Sequence, residues 1–218
     1  MVLNGRNAVA LEEAAAAIEA DGGSASIACF DVTDPAAIGP AISAIEAERP
    51  LDILINNAGI QRRAPLHQFS DDDWRELMAT NLDGVYFVSK AVAPAMIARG
   101  RGKIVNIASV QSELARPGIA PYTAAKGAIR NLTRGMCADW APLGLQANAI
   151  APGYFNTPLN SALVADPEFS SWIAKRTPAG RWGNLADLHG IAIFLSSSAS
   201  DFVNGQTIYV DGGMTAVI

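Results

Sequence analysis

The sequence lacks several features that would point to particular classes of protein. No apolar run reaches the roughly 18 residues that a membrane-spanning helix needs, and the first residues, MVLNGRN, lack the apolar stretch of a secretory signal. Basic residues are not in excess, because 16 of them face 21 acidic residues and give a net charge of −5. A basic patch for nucleic acid is therefore not expected. These absences predict a cytoplasmic protein with neither a membrane nor a nucleic acid as partner.

Cysteine and histidine are also scarce. The chain has two of each, namely Cys29, Cys137, His67 and His189. Their spacing matches no metal-binding or redox motif, so no metal site is predicted. So few cysteines without a redox motif are typical of a protein in a reducing compartment.

The residues that are present favour a globular α/β protein. Half of the 218 residues are apolar, which is enough for one domain with a sizeable core. Runs such as LDILI and KIVNIA are apolar almost throughout, as in parallel strands that helices cover on both faces. Their alternation with helical patterns predicts a single domain over residues 1–218, a doubly wound parallel sheet in three layers. The predicted strands are Val2–Asn4, Ser26–Asp31, Leu51–Asn56, Lys103–Ile107, Gln146–Ile150 and Gln206–Val210.

Small and polar residues follow most of these predicted strands. Ligands of a parallel sheet bind outside the carboxyl ends of its strands, so these positions predict a nucleotide-binding edge. The residues concerned are Gly5-Arg6, Asp31-Val32, Asn56-Asn57-Ala58-Gly59, Ser109 and Pro152-Gly153.

Tyr122 and Lys126 are the central pair for chemistry. In a helix, residues four apart lie side by side on one face. A neighbouring ammonium favours the phenolate and lowers the tyrosine pKa from about 10, which makes a workable proton donor and acceptor. Alone, such a pair is more often an ordinary surface pair. Ser109 precedes Tyr122 by 13 residues, and Asn81 precedes Ser109 by 28, at the start of a predicted helix over 81–98.

Together these residues resemble the short-chain dehydrogenase/reductase family, in order and at matching spacings over essentially the whole chain. The resemblance implies that Tyr122 is the general acid/base and that Ser109 polarises the substrate carbonyl. It further implies that Lys126 lowers the tyrosine pKa and holds the nicotinamide ribose, and that Asn81 supports a water beside Lys126. The motifs that carry the resemblance are NNAG (56–59), Asn81, Ser109, Tyr122 with Lys126, and Pro152-Gly153.

The resemblance also implies a nicotinamide dinucleotide cofactor. Arg6 follows the first strand where an acidic residue would favour NAD, so NADP is expected and NAD remains an alternative. Asp31 and Val32 would receive the adenine. The other expected cofactor contacts are Asn57, Ala58, Gly59, Tyr122, Lys126, Pro152, Gly153 and Thr157.

Substrate-side strings such as NNAGIQRR (56–63) and KRTPAGRWG (175–183) resemble the family members that interconvert D-gluconate and 5-keto-D-gluconate. The predicted substrate contacts are Arg62, Ser109, Gln111 and Tyr122, with Arg63 or Arg116 as other cations and Glu113 as another hydroxyl partner. Segment 154–185 is predicted to form a flap over the substrate. Two alternatives stay open: a reductase of a 3-oxoacyl thioester or another ketone, and an inactive member that acts only in binding or oligomerisation.

The sequence departs from the family pattern at its beginning. It contains no TGxxxGxG turn, which would bind the pyrophosphate at a helix N-terminus. The expectation is therefore a domain shortened at its N-terminus by a strand–turn–helix unit, on the order of 30 residues. Since that strand lies in the middle of the sheet, its neighbours would lose a partner. The family resemblance also implies a homotetramer.

Overall fold

The computed structural model describes all residues, 1–218. Its strands are β1 (Val2–Gly5), β2 (Ser26–Cys29), β3 (Ile53–Asn56), β4 (Gly102–Ile107), β5 (Leu145–Pro152) and β6 (Thr207–Val210). Its helices are α1 (Ala8–Ala20), α2 (Pro35–Glu48), α3 (Asp71–Met78), α4 (Gly84–Arg99), α5 (Ala120–Trp140), α6 (Ser161–Val164), α7 (Pro167–Arg176) and α8 (Ala186–Leu195). None of these helices has the length and apolar character needed to cross a membrane.

All strand pairs are parallel, which confirms the predicted α/β class with helices between the strands. The strands form two ladders rather than one, in the orders β1-β2 and β3-β4-β5-β6. The longest pairing joins β4 to β5 over six residue pairs, from Gly102 opposite Leu145 to Ile107 opposite Ile150. The sheet is divided because no strand of this chain hydrogen-bonds to both β1 and β3.

The helix starts follow local capping chemistry. Asp34 caps α2 by accepting a hydrogen bond from the Ala36 amide at 3.0 Å, and Pro35 takes the first helical position. Ser70 caps α3 by accepting from the Asp73 amide at 3.1 Å. The helix predicted over 81–98 begins instead at Gly84, because Ala79–Asp83 forms a π-helical turn between α3 and α4.

A buried apolar core connects the two ladders through their helices. It includes Ile38 and Ile42 of α2, Val92 of α4 and Ile104 of β4. An ion pair strengthens the contact between α2 and α4, since Arg99 Nη1 lies 2.8 Å from Glu46 Oε2. The core therefore holds the two-stranded ladder in place without a backbone hydrogen-bond ladder between β1 and β3.

Candidate active site

The end of β4 positions Ser109 at the carboxyl edge of the larger sheet. Its backbone is extended, and its hydroxyl accepts a hydrogen bond from the Gln111 amide at 3.1 Å, which starts a short 3-10 turn over Val110–Ser112. Ser109 is only 7% exposed. The side chain is thus fixed at the strand edge where the sequence predicts the ligand.

Helix α5 brings Tyr122 and Lys126 to the same edge, one turn apart. The Lys126 Nζ atom lies 5.7 Å from the Tyr122 ring centroid. It donates a hydrogen bond to the carbonyl of Ile107, the last residue of β4, at 2.6 Å. The Ser112 hydroxyl in turn donates to the Lys126 carbonyl at 2.7 Å. These contacts lock α5 against the loop that carries Ser109.

Burial and a second cation, Arg63, both affect the ionisation of this pair. Burial raises the pKa of Tyr122, while a hydrogen bond with Ser109 and the charge of Arg63 lower it. Burial lowers the pKa of Lys126 to about 8. Arg63 is therefore a cation that lowers the Tyr122 pKa, while the Lys126 ammonium donates to the Ile107 carbonyl. That Lys126 also lowers the Tyr122 pKa stays a prediction.

Asn81 holds the loop that follows β3. It is fully buried in the π-helical turn. Its Oδ1 accepts from the Ile60 amide at 2.8 Å, and its Nδ2 donates to the Ile60 carbonyl at 2.9 Å. Single π-helical turns inside helices are frequent at functional sites. Asn81 therefore fixes the end of the NNAG loop, and both polar atoms of its side chain hydrogen-bond to the Ile60 backbone.

Sequence reasoning missed a buried polar network beneath the site. Asn56 Nδ2 donates to Ser89 Oγ at 2.9 Å and to Asn106 Oδ1 at 2.8 Å, and Asn106 Nδ2 donates to Thr133 Oγ1 at 2.9 Å. The network joins β3, β4, α4 and α5. One signal was available, because an asparagine inside the apolar run KIVNI needs a buried partner.

A cavity of about 60 Å³ opens beside Ser109 and Tyr122. Two guanidinium groups, those of Arg63 and Arg116, line it, and no carboxylate does. The other polar side chains in its wall are Gln61, Ser109, Gln111, Tyr122, Tyr154 and Asn160. The cavity is therefore positively charged and rich in hydrogen-bonding groups.

Two buried polar atoms in this wall lack a partner. Gln111 Oε1 and Arg116 Nε have none, although Gln111 Nε2 donates to the Tyr154 hydroxyl at 3.4 Å. A buried polar atom without a hydrogen bond costs free energy, so such an atom in a cavity wall is a candidate contact for a ligand. The oxygen requires a donor and the nitrogen an acceptor, which a hydroxylated acid supplies.

Arg62, a predicted substrate contact, lies outside the wall of this cavity. Arg62 Nη2 lies 2.7 Å from Glu76 Oε2 and its Nε lies 3.3 Å from Asp73 Oδ1, so α3 holds it outside the cavity wall. Its neighbour Arg63 lines the cavity instead. Glu113 also lies outside the wall, because it pairs with Arg130 and accepts from the Tyr209 hydroxyl at 3.3 Å.

The predicted flap contains a 3-10 turn over Pro158–Asn160 and the helices α6 and α7. Its aromatic side chains pack edge to face around Tyr154, whose ring centroid lies 5.7 Å from that of Phe169 and 5.9 Å from that of Trp182. The Arg116 guanidinium lies 5.5 Å from the Phe169 centroid. One wall of the cavity is thus attached to the flap through a cation–π contact.

A larger cavity, about 210 Å³, lies on the other side of Tyr154. Its charged side chains already have partners: Arg181 pairs with Asp187 at 2.7 Å, and Asp211 accepts from the Thr215 amide and hydroxyl. The smaller cavity is the better candidate because its guanidinium groups have no carboxylate partner and it contains Tyr122.

The two-stranded ladder carries the residues expected at the adenosine end of a cofactor. Arg6 Nη1 lies 3.6 Å from Asp31 Oδ2, and the Arg6 side chain is 69% exposed. The Asp31 carboxylate accepts hydrogen bonds from the Thr33 amide and hydroxyl, both at 2.8 Å. The hydrogen bond from the amide holds the pKa of Asp31 below its usual value. Asn7 caps α1, whose first turn has no acidic residue. An exposed cation beside such a helix start fits a phosphate group.

The other predicted cofactor residues follow β3 and β5. Asn57, Ala58 and Gly59 lie in the loop that Asn81 holds. A Cβ atom at Gly153 would lie 2.8 Å from the Asp211 backbone, so this turn requires glycine. Thr157 is partly buried directly before the 3-10 turn of the flap. The carboxyl edge therefore brings these loops to the same side as Ser109.

Comparison with known proteins finds relatives along the whole chain. A family model described as enoyl-(acyl carrier protein) reductase matches residues 1–215. Gluconate 5-dehydrogenase of Gluconobacter oxydans is 63% identical over 99% of this chain and 84% of its own length. The 5-keto-D-gluconate 5-reductase of Escherichia coli strain K12 is 47% identical over 100% of this chain and 86% of its own.

A solved structure matches equally well. The crystal structure of a gluconate 5-dehydrogenase from Burkholderia cenocepacia, in complex with NADP and tartrate, has a TM-score of 0.97 to this chain at 60% identity. The match covers 100% of this chain and 86% of that protein. Fold and sequence therefore agree on the same group of proteins.

Proposed function

The chain belongs to the short-chain dehydrogenase/reductase family, and from this premise we propose that it is an NADP-dependent oxidoreductase of a sugar acid. The proposed reaction is the reversible interconversion of D-gluconate and 5-keto-D-gluconate. The observation that carries the proposal is the cavity in which Tyr122 and Ser109 face two guanidinium groups that have no carboxylate partner. Both relatives described above are named for this sugar acid.

Tyr122 is the proton-transfer group in this proposal. In reduction its hydroxyl donates a proton to the ketone oxygen, and in oxidation its phenolate accepts one from the alcohol. The Ser109 hydroxyl donates a hydrogen bond to the same oxygen and stabilises the developing alkoxide. The Arg63 charge favours the phenolate. Hydride transfer is the chemistry that NADP(H) supplies when bound.

The cavity wall supports a hydroxylated acid as substrate. Carbon 5 reacts and must lie at Tyr122, so the carboxylate at carbon 1 lies at the far end of the molecule. Arg116, whose guanidinium lies over Phe169 of the flap, would pair with it. Gln111 Oε1 accepts from a hydroxyl between the two ends. The tartrate in the Burkholderia relative, also a hydroxylated acid, supports this class of ligand.

Arg6 supports NADP over NAD. Its guanidinium is exposed and has only the 3.6 Å contact with Asp31, so a 2′-phosphate can reach it. Tyr122, Lys126 and the loops at Asn57–Gly59 and Pro152–Thr157 would hold the nicotinamide half and the adenosine ribose. The NADP in the Burkholderia relative agrees with this assignment.

We further propose a cytoplasmic homotetramer. Large apolar side chains stay exposed outside the site, among them Ile193 on α8 at 68% and Phe202 at 106%. Exposed apolar side chains are typical of contacts between subunits where they form a patch. Size-exclusion chromatography with light scattering measures the molar mass of the assembly, and the mass of a monomer would contradict the proposed homotetramer.

The activity test is NADPH oxidation by the purified chain with 5-keto-D-gluconate and, separately, with a 3-oxoacyl thioester. We expect turnover of the sugar acid and a loss of about 10²–10⁴-fold in kcat for Tyr122→Phe, because the proton donor is removed. Tyr86→Phe is the matched control, since Tyr86 is exposed on α4. A preference for the thioester would contradict the proposed sugar-acid substrate. Turnover that Tyr122→Phe leaves intact, or no turnover by the wild type, would contradict the proposed oxidoreductase activity through Tyr122.

A further inference from the structure

Arg63 and Arg116 share one cavity and neither has a carboxylate partner. Their hydrogen bonds go to backbone carbonyls: Arg63 Nη2 to Leu159 and Arg116 Nη1 to Pro117, both at 3.4 Å. In contrast, the adjacent Arg62 pairs with Asp73 and Glu76. Two unneutralised cations at one small cavity repel each other, and burial together with the Arg116 charge lowers the pKa of Arg63.

The two guanidinium groups act on different side chains of the cavity wall. The charge of Arg63 lowers the pKa of Tyr122, the proton-transfer group, whereas Arg116 is the stronger of the two in lowering the pKa of Tyr154. Arg116 also lies over the Phe169 ring, 5.5 Å from its centroid. We therefore take the order to be Tyr122 with Arg63 at the reacting end and Arg116 at the other.

This order has a consequence for the ligand. In the proposed function, carbon 5 of gluconate lies at Tyr122 and its carboxylate pairs with Arg116. Carbon 6, the neighbour of carbon 5, then lies beside Arg63, but in gluconate it carries only a hydroxyl. Arg63 therefore remains without an anionic partner when gluconate is bound.

We propose that the cavity binds six-carbon hydroxylated diacids, such as D-glucarate, more tightly than D-gluconate, with one carboxylate on each guanidinium. The inference rests on the proposed function for the orientation of the chain. A carboxylate at carbon 6 adds a charge-assisted contact with Arg63 and removes the repulsion between the two cations. The hydroxyls between the ends keep their contact with Gln111 Oε1, which adipate, a diacid without hydroxyls, leaves unpaired.

Calorimetric titration in saturating NADP⁺ tests the proposal with D-glucarate, D-gluconate and adipate. We expect the wild type to bind glucarate about tenfold more tightly than gluconate and adipate more weakly than glucarate. Arg63→Gln should make the affinities for glucarate and gluconate equal, because it removes the partner of the second carboxylate. Arg116→Gln should weaken the binding of both sugar acids by a similar factor and keep the ratio of their dissociation constants.

Two further variants control this experiment. Arg63→Lys keeps the positive charge and should keep part of the glucarate advantage, whereas Arg75→Gln, an exposed residue on α3, should leave all affinities unchanged. Thermal unfolding checks that each variant is folded. Equal affinity for the two sugar acids, no binding of either, or a ratio that survives Arg63→Gln would overturn the inference. Failure of the proposed function would show separately, as the absence of NADP-linked gluconate oxidation in the wild type.

Discussion

The two-stranded ladder and the central strands of the four-stranded ladder differ in how deeply they are packed. In the two-stranded ladder no residue of β1 or β2 is fully buried, and Ile27 is 38% exposed. In the four-stranded ladder six of the eight residues of β5 are buried and Ile104 of β4 is fully buried, whereas β3 at its edge exposes Ile53 and Ile55. The thinly packed ladder carries Arg6 and Asp31, and the deeply packed strand β4 leads to Ser109.

This difference matches what each region must do in the proposed reaction. Proton transfer requires side chains held within a fraction of an ångström, which a close-packed support provides. Recognition of an adenosine phosphate by an exposed arginine tolerates more movement. The contact of α2 with α4, with the Arg99–Glu46 pair inside it, connects the two regions.

The largest expected effect is on stability in the deeply packed ladder. Ile104→Ala leaves a cavity in the core and should lower the free energy of unfolding by about 2–5 kcal/mol. Ile27→Ala, in the two-stranded ladder, should lower it by about 1 kcal/mol or less, because much of that side chain is already in water. Urea unfolding measures both. Equal losses would show that the two ladders form one evenly packed unit.

A second prediction compares a buried cation with an exposed one. Lys126 has a pKa of about 8 in the folded protein, against 10.5 ordinarily, so between these values the unfolded chain binds more protons than the folded one. The Lys126 contribution to stability therefore rises with pH above 8, by at most about 1.4 kcal/mol per pH unit. Lys126→Met removes this dependence on pH. The free energy of unfolding of the variant, relative to that of the wild type, should therefore fall from pH 8 to pH 10.

The control for this prediction is Lys175→Met, at an exposed position on α7. It should follow the wild-type pH profile throughout. Unfolding by urea at a series of pH values measures all three proteins. A Lys126→Met profile parallel to wild type would mean that the ammonium is solvated in the folded protein.

The smallest expected effect concerns the cofactor end. Arg6→Gln should lower the kcat/KM ratio of NADPH to NADH about tenfold, the equivalent of about 1.4 kcal/mol of lost phosphate contact. The kcat at saturating NADH should not change, because Arg6 lies on the ladder that does not carry Tyr122. Steady-state kinetics with both cofactors measures this. A fall in kcat with NADH would show that the two regions do not act separately.

Much of the fold was predictable from local pattern. Both ends of each of the six strands were predicted to within two residues, because strands in a covered parallel sheet need apolar runs. The caps Asp34 and Ser70 depend on local sequence alone, since their hydrogen bonds involve only the next few residues. The π-helical turn before α4 was not predicted, and its residue Asn81 hydrogen-bonds to Ile60, 21 residues earlier in the chain.

The candidate site was predictable in part. The spacing of Ser109, Tyr122 and Lys126 predicted their meeting at one edge, and the structure brings them together. The choice among arginines could not be made from spacing. Arg62 and Arg63 are adjacent in sequence, and only the carboxylates of α3 decide that Arg62 turns away.

The sequence by itself determined the parallel α/β class, the capping of its helices and the pairing of a tyrosine with a lysine one turn later. These features depend on residues close together in the chain. Only the tertiary structure decided which guanidinium groups face the cavity and that the Arg63 charge acts on Tyr122. Only it, too, showed the sheet dividing between β1 and β3. Burial, charge pairing and strand pairing between distant segments set these features, because each depends on neighbours that the chain acquires only when it folds.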